Sequence, residues 1–179
     1  MFSSRFAPRA CLLILTLGCG TGKHFDLAKL RYERVIIMTD ADVDGAHIAS
    51  LLMTFFWREC RPLVESGRLF LALPPLYRLT QGTKSVYARD DADRERLMKT
   101  MHGKGKIEIS RFKGLGEMPA AQLKETTMDP ARRTLARVTL PRTEETVEEM
   151  VETLMGRKAE SRFRFIQENA EFAAADVDV

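Results

Sequence analysis

Three aspartates at alternate positions directly follow a short β-branched run, and this feature constrains the fold more than any other. The run Val35-Ile36-Ile37-Met38 is typical of a strand buried in a parallel sheet. Asp40, Asp42 and Asp44 follow it, where the chain leaves the predicted strand. Because open α/β sheets bind ligands beyond the carboxyl ends of their strands, the sequence predicts a functional site at this edge.

The chemistry of these aspartates indicates a hard divalent cation. Neighbouring carboxylates repel one another unless a cation neutralises them, and their oxygens select Mg²⁺ or Ca²⁺ over zinc or copper. The spacing also begins a calcium EF-hand loop, but that loop needs a preceding helix and an acidic residue at its twelfth position, which is Leu51 here. We therefore expect a metal at Asp40 and Asp42, whereas Asp44 has the alternative role of capping a helix that begins near residue 45 or 46.

The pattern around the aspartates predicts an α/β fold. A helix over 48–57 is apolar almost all round, so we expect it to be mostly buried, and a second strand follows over 68–73. A strand–helix–strand order is typical of a right-handed α/β unit. The elements predicted further along are a hairpin over 76–88, a polar helix over 90–101, a strand over 107–109, a loop over 111–117, a short helix over 120–125, a strand over 137–140, an amphipathic helix that Thr143 caps and Gly156 ends, and a last helix over 161–172.

The amino-terminal segment has two interpretations. Arg5 and Arg9 precede the apolar stretch 10–15, and Gly18-Cys19 follows it, which is the outline of a short secretory or lipoprotein signal. The alternative is a core segment that runs into the glycine-rich turn 18–22. We favour the core segment, because the remainder is typical of a cytoplasmic protein: three cysteines without metal spacing make a disulfide framework improbable. No apolar run approaches the roughly 20 residues of a membrane span.

The charges are unevenly distributed along the chain. Residues 102–142 contain nine Lys and Arg against four Asp and Glu, and residues 143–179 contain four against ten. A basic middle followed by an acidic end predicts a surface for a polyanion beside a segment that binds elsewhere.

A glycine-containing loop at 111–117 is the second motif with chemical content. Its two glycines, Gly114 and Gly116, allow the backbone to approach a ligand closely, and Lys113 supplies a point charge suited to phosphate. The loop is neither a Walker A loop nor a dinucleotide fingerprint, and alone it could be an ordinary turn. Together with the aspartates it suggests phosphodiester chemistry.

Four motifs, taken together, resemble the B subunit of bacterial type IIA DNA topoisomerases. They are, in chain order, MTDADVDGAHI at 38–48, ALPPLY at 72–77, RFKGLGEM at 111–118 and ETTMDP at 125–130. The resemblance runs from about residue 17 to residue 179. The segments 75–82 and 86–88, with Phe112, look more like the topoisomerase IV branch of this family than the gyrase branch.

The resemblance implies a fold and a division of the chain. We expect an α/β Toprim-type partial parallel sheet with helices, then a small β-containing segment and an α-helical tail. The expected units are an atypical segment 1–16, the C-terminal part of a Toprim domain at 17–75, a hairpin, helix and loop region at 76–142, and a helical tail at 143–179. The family's ATP-binding and transducer domains, and the Glu-Gly-Asp-Ser segment whose glutamate completes its metal site, have no counterpart in this sequence, so we expect a C-terminal fragment that is inactive alone.

The resemblance also implies residue roles and partners. The implied assignments are Mg²⁺ binding by Asp40, Asp42 and Asp44, catalysis by Lys113 and Asp40, and DNA binding by His47, Arg111, Lys113 and Arg162. The tyrosine nucleophile of the family is carried by the A subunit, so Tyr32, Tyr77 and Tyr87 are not candidates. The implied partners are double-stranded DNA and the A subunit, in an A2B2 heterotetramer that uses ATP in its full-length form, in the cytoplasm and near the nucleoid. The alternative is a folded, inactive fragment that only binds DNA or the A subunit.

Overall fold

The computed structural model of the protein describes residues 8–103, 105–141 and 144–173. The helices are α1 (Pro8–Leu17), α2 (Val43–Glu59), α3 (Arg61–Glu65), α4 (Asp91–Thr100), α5 (Ala120–Leu123), α6 (Glu144–Met155) and α7 (Ala159–Ala173). The strands are β1 (Val35–Ile37), β2 (Leu69–Ala72), β3 (Tyr77–Gln81), β4 (Lys84–Ala88), β5 (Glu108–Arg111) and β6 (Leu135–Arg137). Two residues named in the sequence predictions lie outside the described residues. They are Arg5, which precedes the apolar N-terminal stretch, and Thr143, the predicted cap of the amphipathic helix.

The first sheet has the order β1-β2-β6. β1 and β2 are parallel, with Val35 opposite Leu69, and α2 and α3 connect them, which confirms the predicted strand–helix–strand unit. β6 pairs antiparallel with β2, with Phe70 opposite Arg137. The strand predicted at 137–140 therefore lies at 135–137, and the Val138 amide extends the ladder by donating one 3.0 Å hydrogen bond to the carbonyl oxygen of Leu69.

The main core lies between this sheet and the first three helices. Its fully buried centre includes Phe56, Cys60, Leu63 and Leu69, all at most 1% exposed. Helix α1 contributes Leu17 to this core, and Ile14 is also buried, whereas Leu12 and Leu15 are exposed. One face of the N-terminal apolar stretch therefore agrees with its interpretation as a core segment. Cys19 and Cys60 are buried free thiols, in agreement with the prediction that the chain has no disulfide framework.

Helix α2 differs from its prediction in two respects. It begins at Val43, and it is not mostly buried, since Ile48 and Leu51 are about half exposed. The buried residues, among them Ala49 and Phe56, lie on the face that packs against the core. The reason is that a single three-stranded sheet covers only one face of an apolar helix, so apolar composition alone overestimated the burial.

The second sheet has the order β4-β3-β5 and is antiparallel. The predicted hairpin is confirmed, and Gly82 makes its turn with a φ of +60° that residues with a Cβ rarely adopt. β5 runs beside β3 and ends at Arg111, opposite Tyr77. This pairing delivers the chain into the glycine-containing loop that follows.

Helix α6 packs against the back of α2, and α7 packs against α6. The Trp57 indole Nε1 donates a 3.2 Å hydrogen bond to Glu148 Oε2, and Arg58 pairs with Glu152 at 3.0 Å. α6 presents its apolar face to α2, as its spacing predicted, and α7 follows after Gly156. Among the helices of the described ranges, none is both long enough and apolar enough to cross a membrane.

Candidate metal and phosphodiester site

Asp40 and the glycine-containing loop form one site, although they lie far apart in the sequence. The chain leaves β1 at Ile37, and the loop leaves β5 at Arg111. The two segments meet where the Leu115 amide donates a 2.8 Å hydrogen bond to Asp40 Oδ1. The structure thus brings together the two motifs that the sequence marked separately.

Two glycines make this close approach possible. A Cβ placed on Gly114 would lie 3.0 Å from the Asp40 Cγ, and one placed on Gly45 would lie 2.1 Å from the Asp40 carbonyl oxygen. Neither glycine has a positive φ, so what each position requires is space. The first turn of α2 and the loop therefore enclose Asp40 from two sides.

The loop is held by its own residues and by the second sheet. The Lys113 amide donates to Glu117 Oε2 at 2.8 Å, and the Phe112 amide donates to the Leu76 carbonyl oxygen at 2.8 Å. The side chain of Phe112 is buried. Lys113 itself is exposed, and its ammonium forms no ion pair with any carboxylate in the described part of the chain. Its charge is thus available to a ligand beside Asp40.

Asp42, and not Asp44, caps helix α2. The Gly45 amide donates a 2.6 Å hydrogen bond to Asp42 Oδ1, and Asp42 has the extended backbone of an N-cap. The predicted cap was therefore wrong: the helix begins two to three residues earlier, and Asp44 lies in its first turn. Acidic residues are favoured there by the helix dipole, so part of the acidic pattern has a structural explanation.

The carboxylates retain free oxygen atoms that suit a hard cation. Asp40 and Asp42 each use Oδ1 for one backbone amide, and Asp44 is exposed. In the described ranges, none of the three forms an ion pair with Lys or Arg, and no group of three His, Cys, Asp or Glu residues is arranged to hold a metal. Mg²⁺ is commonly held by one or two carboxylates with water and substrate phosphates completing its shell, so this donor set fits Mg²⁺ as a partial, open site.

A cavity of about 490 Å³ opens beside Asp40. It lies at the carboxyl ends of β1 and β2, between Thr39, Ala46 and Leu73, and its far wall is formed by Arg89 and Asp90. Ligands of open α/β sheets bind at this edge. Sequence reasoning missed Arg89 and Asp90, because neither belongs to a motif; the only signal was the position of Asp90 before a polar helix, which it caps.

The position of Arg89 depends on Asp93. Asp93 is buried, and its carboxylate accepts the Arg89 amide at 3.1 Å and an unusually short hydrogen bond from Arg96. These donors, the Arg96 guanidinium first, hold the pKa of the Asp93 carboxyl below its usual range. The carboxylate thereby fixes the wall of the cavity.

The other predicted DNA-binding residues are placed differently. His47 is exposed on α2, one turn after Asp44. The Arg111 guanidinium lies 5.9 Å from the ring centroid of Tyr77 at the end of β5. Arg162 has a structural contact, since its Nη1 donates to the carbonyl oxygens of Leu154 at 2.9 Å and Gly156 at 3.3 Å, at the end of α6. The structure does not bring Arg162 into contact with Asp40.

The two parts of this site lie in segments that match two known protein families. Residues 15–74 match the Toprim domain, and residues 104–167 match the family described as DNA gyrase B subunit, carboxyl terminus. The chain is 69% identical over 93% of its length to the B subunit of DNA topoisomerase 4 from Caulobacter vibrioides, and 62% identical over 90% to that from Bartonella bacilliformis. It is 48% identical over 92% to the B subunit of DNA gyrase from Treponema denticola.

The fold and the site thus define a Toprim region joined to a gyrase-B-type carboxyl-terminal region. The chain belongs to the family of B subunits of bacterial type IIA topoisomerases, and its identities favour the topoisomerase IV branch, as its motifs predicted. It spans 24% of the length of the two topoisomerase 4 relatives and 26% of that of the gyrase relative.

Proposed function

We propose that the chain is a Mg²⁺-binding Toprim module that assists DNA cleavage and religation by the tyrosine of a topoisomerase A subunit. The observation that supports this most is the hydrogen bond from the Leu115 amide to Asp40 Oδ1. It unites the acidic motif, which suits a divalent cation, with the loop that carries Lys113, which suits a phosphate. The setting would be topology change and decatenation of bacterial chromosomes in the cytoplasm, near the nucleoid.

In this proposal Asp40 and Asp42 hold the ion through their free oxygens, and Asp44 contributes from the first turn of α2. The ion, when bound, would stabilise negative charge on the leaving oxygen of the broken DNA strand. Lys113 places a second positive charge on the same side of the site. The backbone bonds to Leu115 and Gly45 orient the carboxylates, so the ligand positions are set before DNA arrives.

DNA binding is assigned to the surface around this loop. Arg111 and Lys113 are exposed within it, His47 is exposed on α2 one turn after Asp44, and residues 102–142 carry the excess of positive charge. Binding of this kind is dominated by phosphate contacts and weakens steeply with salt. The protein partner would be the A subunit, in an A2B2 heterotetramer. ATP would be used by the full-length B subunit.

A second candidate function is a folded module that binds DNA or the A subunit without supporting cleavage. One observation favours it: within the described ranges, no three His, Cys, Asp or Glu residues converge to hold a metal ion.

A segment replacement distinguishes the two functions. The matching segment of a topoisomerase 4 relative would be exchanged for this chain, and DNA cleavage with the A subunit measured with Mg²⁺ and with EDTA. If the proposed function is correct, covalent cleavage complexes should form only with Mg²⁺, and Lys113→Ala should reduce their amount. Lys99 is an exposed lysine on α4, and Lys99→Ala should leave their amount unchanged. Binding to DNA and to the A subunit without cleavage would establish the second function. The 179-residue chain with the A subunit and ATP should show no decatenation.

A further inference from the structure

A cluster of arginines surrounds a second cavity at the opposite edge of the first sheet. Arg34 and Arg68 directly precede β1 and β2, and Arg137 ends the antiparallel β6, so all three lie at the edge away from Asp40. The cavity measures about 350 Å³, and it is also lined by Glu33, Gly67 and Phe70. We call it the arginine pocket.

The arginine pocket has an excess of positive charge. Among the described residues, Glu33 is the only acidic one that lines it. Glu33 pairs with Arg34 at 3.5 Å, and its side chain is 85% exposed. Arg68 and Arg137 form no ion pair with any carboxylate in the described ranges. Three guanidiniums against one carboxylate leave a formal charge of +2, and clustered like charges are unfavourable unless an anion neutralises them.

Two of the three guanidiniums, those of Arg34 and Arg137, are held in place before any ligand binds. The Arg34 and Arg137 Cζ atoms lie 5.8 and 5.6 Å from the centroid of the buried Phe70 ring. The backbone of Arg68 is fixed because its carbonyl oxygen accepts the Val35 amide at 2.8 Å. Gly67, with a φ of +67°, leaves room for the Arg137 side chain, whose Cδ lies 3.4 Å from where a Cβ would stand. Pre-positioned guanidinium forks lose little freedom on binding an anion.

We propose that the arginine pocket binds phosphate groups. Guanidinium forks match phosphate oxygens in a bidentate manner. A phosphate monoester or pyrophosphate carries about two or more negative charges near neutral pH, which matches the excess charge of the pocket better than one carboxylate does. The phosphate could belong to a nucleic-acid backbone or to a free phosphorylated compound. The pocket contains none of the residues assigned to metal or DNA at the Asp40 edge, so the two proposals stand or fall separately.

Calorimetric titration of the 179-residue chain with pyrophosphate in EDTA tests the proposal directly. Arg68→Ala should weaken binding by about tenfold, since a charge-assisted hydrogen bond contributes that much or more. Arg164→Ala, which removes the same charge from an exposed position on α7, is the control and should leave binding unchanged. The Arg68 guanidinium forms no ion pair with a described carboxylate, and its removal relieves repulsion between like charges, so this variant should unfold at or above the melting temperature of the parent chain.

Titration with a short DNA duplex identifies the source of the phosphate. Weaker duplex binding by Arg68→Ala than by Arg164→Ala would assign the pocket to a nucleic-acid backbone, and an unchanged duplex affinity with weakened pyrophosphate binding would assign it to a free phosphate compound. The proposal is overturned if pyrophosphate does not bind saturably, if both variants weaken its binding equally, or if a polyglutamate peptide binds the pocket more tightly than pyrophosphate.

Discussion

The Leu115 amide donates a 2.8 Å hydrogen bond to Asp40 Oδ1 and so joins two segments that are 75 positions apart in the sequence. The acidic residue at the end of β1 is thereby oriented by a loop that follows β5, an element of the other sheet. The geometry of the acidic site consequently depends on how the two sheets are joined.

Replacement of Gly114 tests this dependence. The new Cβ of Gly114→Ala would lie 3.0 Å from the Asp40 Cγ, so the carboxylate must turn away from the Leu115 amide. We expect Mg²⁺-dependent cleavage by the segment-replaced protein to fall about tenfold, which corresponds to about 1.4 kcal/mol in the barrier.

Gly116→Ala is the matched control, because it lies in the same loop and its added Cβ would meet no atom within 4 Å. Cleavage and DNA affinity should be unchanged in this variant. Equal losses in the two variants would mean that loop flexibility, and not the contact with Asp40, determines the activity.

The dual position of Asp42 leads to a prediction that separates folding from metal binding. Asp42→Ala removes the N-cap of α2 and should lower the stability by about 1 kcal/mol, whereas Asp42→Asn preserves a cap of similar quality. Both remove the charge that a cation requires. We therefore expect both variants to need more Mg²⁺ for cleavage, and only the alanine variant to melt at a lower temperature.

Thermal unfolding in EDTA, followed by cleavage over a series of Mg²⁺ concentrations, measures the two effects. Asp44→Asn provides a comparison in the same turn, without a capping bond. If Asp42→Asn cleaved DNA with the same Mg²⁺ dependence as the parent protein, Asp42 would not be a metal ligand. Its role would then be limited to capping α2.

The sequence predicted the elements of this fold well where a local pattern determines them. β1 follows from a β-branched run, and the hairpin at Gly82 follows from a turn residue. The helix over 91–100 follows from a polar segment that glycines end. Tertiary contacts decided the rest. The cap moved from Asp44 to Asp42 because both residues suit an N-cap and the position of the helix start depends on how closely Gly45 approaches Asp40.

The same distinction applies to the sites. Asp40 and Lys113 were predicted as parts of one chemistry, but nothing in the sequence gives the contact through Leu115. The arginine pocket was not predicted at all, since its residues come from three separate strand ends with no common motif. Only the pairing of β2 with β6 brings Arg137 beside Phe70.

Gly45 provides a prediction in which local and tertiary effects have opposite signs. In a helix, Gly→Ala ordinarily adds up to about 1 kcal/mol of stability. Here the added Cβ would lie 2.1 Å from the backbone oxygen of Asp40, which cannot move as a side chain can. We expect Gly45→Ala to lower the free energy of unfolding by about 1–3 kcal/mol, the usual cost of overpacking. Urea unfolding measures this, and a stabilised variant would contradict the observed approach.

Asp93 gives the protein a predictable response to acid. Hydrogen bonds from Arg96 and from the Arg89 amide lower the pKa of its carboxyl in the folded state. A lowered pKa contributes stability that is fully present above the unfolded value, about 3.9, and is lost as the pH falls through the folded value. The difference in melting temperature between the parent chain and Asp93→Asn should therefore be largest near neutral pH and shrink below about pH 4.

Thermal unfolding of both proteins between about pH 7 and pH 3 measures this difference. Glu168→Gln is a suitable control, because Glu168 is exposed on α7 and forms no ion pair with a described residue. Its effect on the melting temperature should be small at every pH. If the Asp93→Asn difference stayed constant down to the lowest pH, the Asp93 carboxylate would not be the group whose charge stabilises the wall of the cavity through Arg89. Loss of the difference on acidification, absent from the control, would show that the Arg89 and Arg96 contacts stabilise the ionised carboxylate in solution.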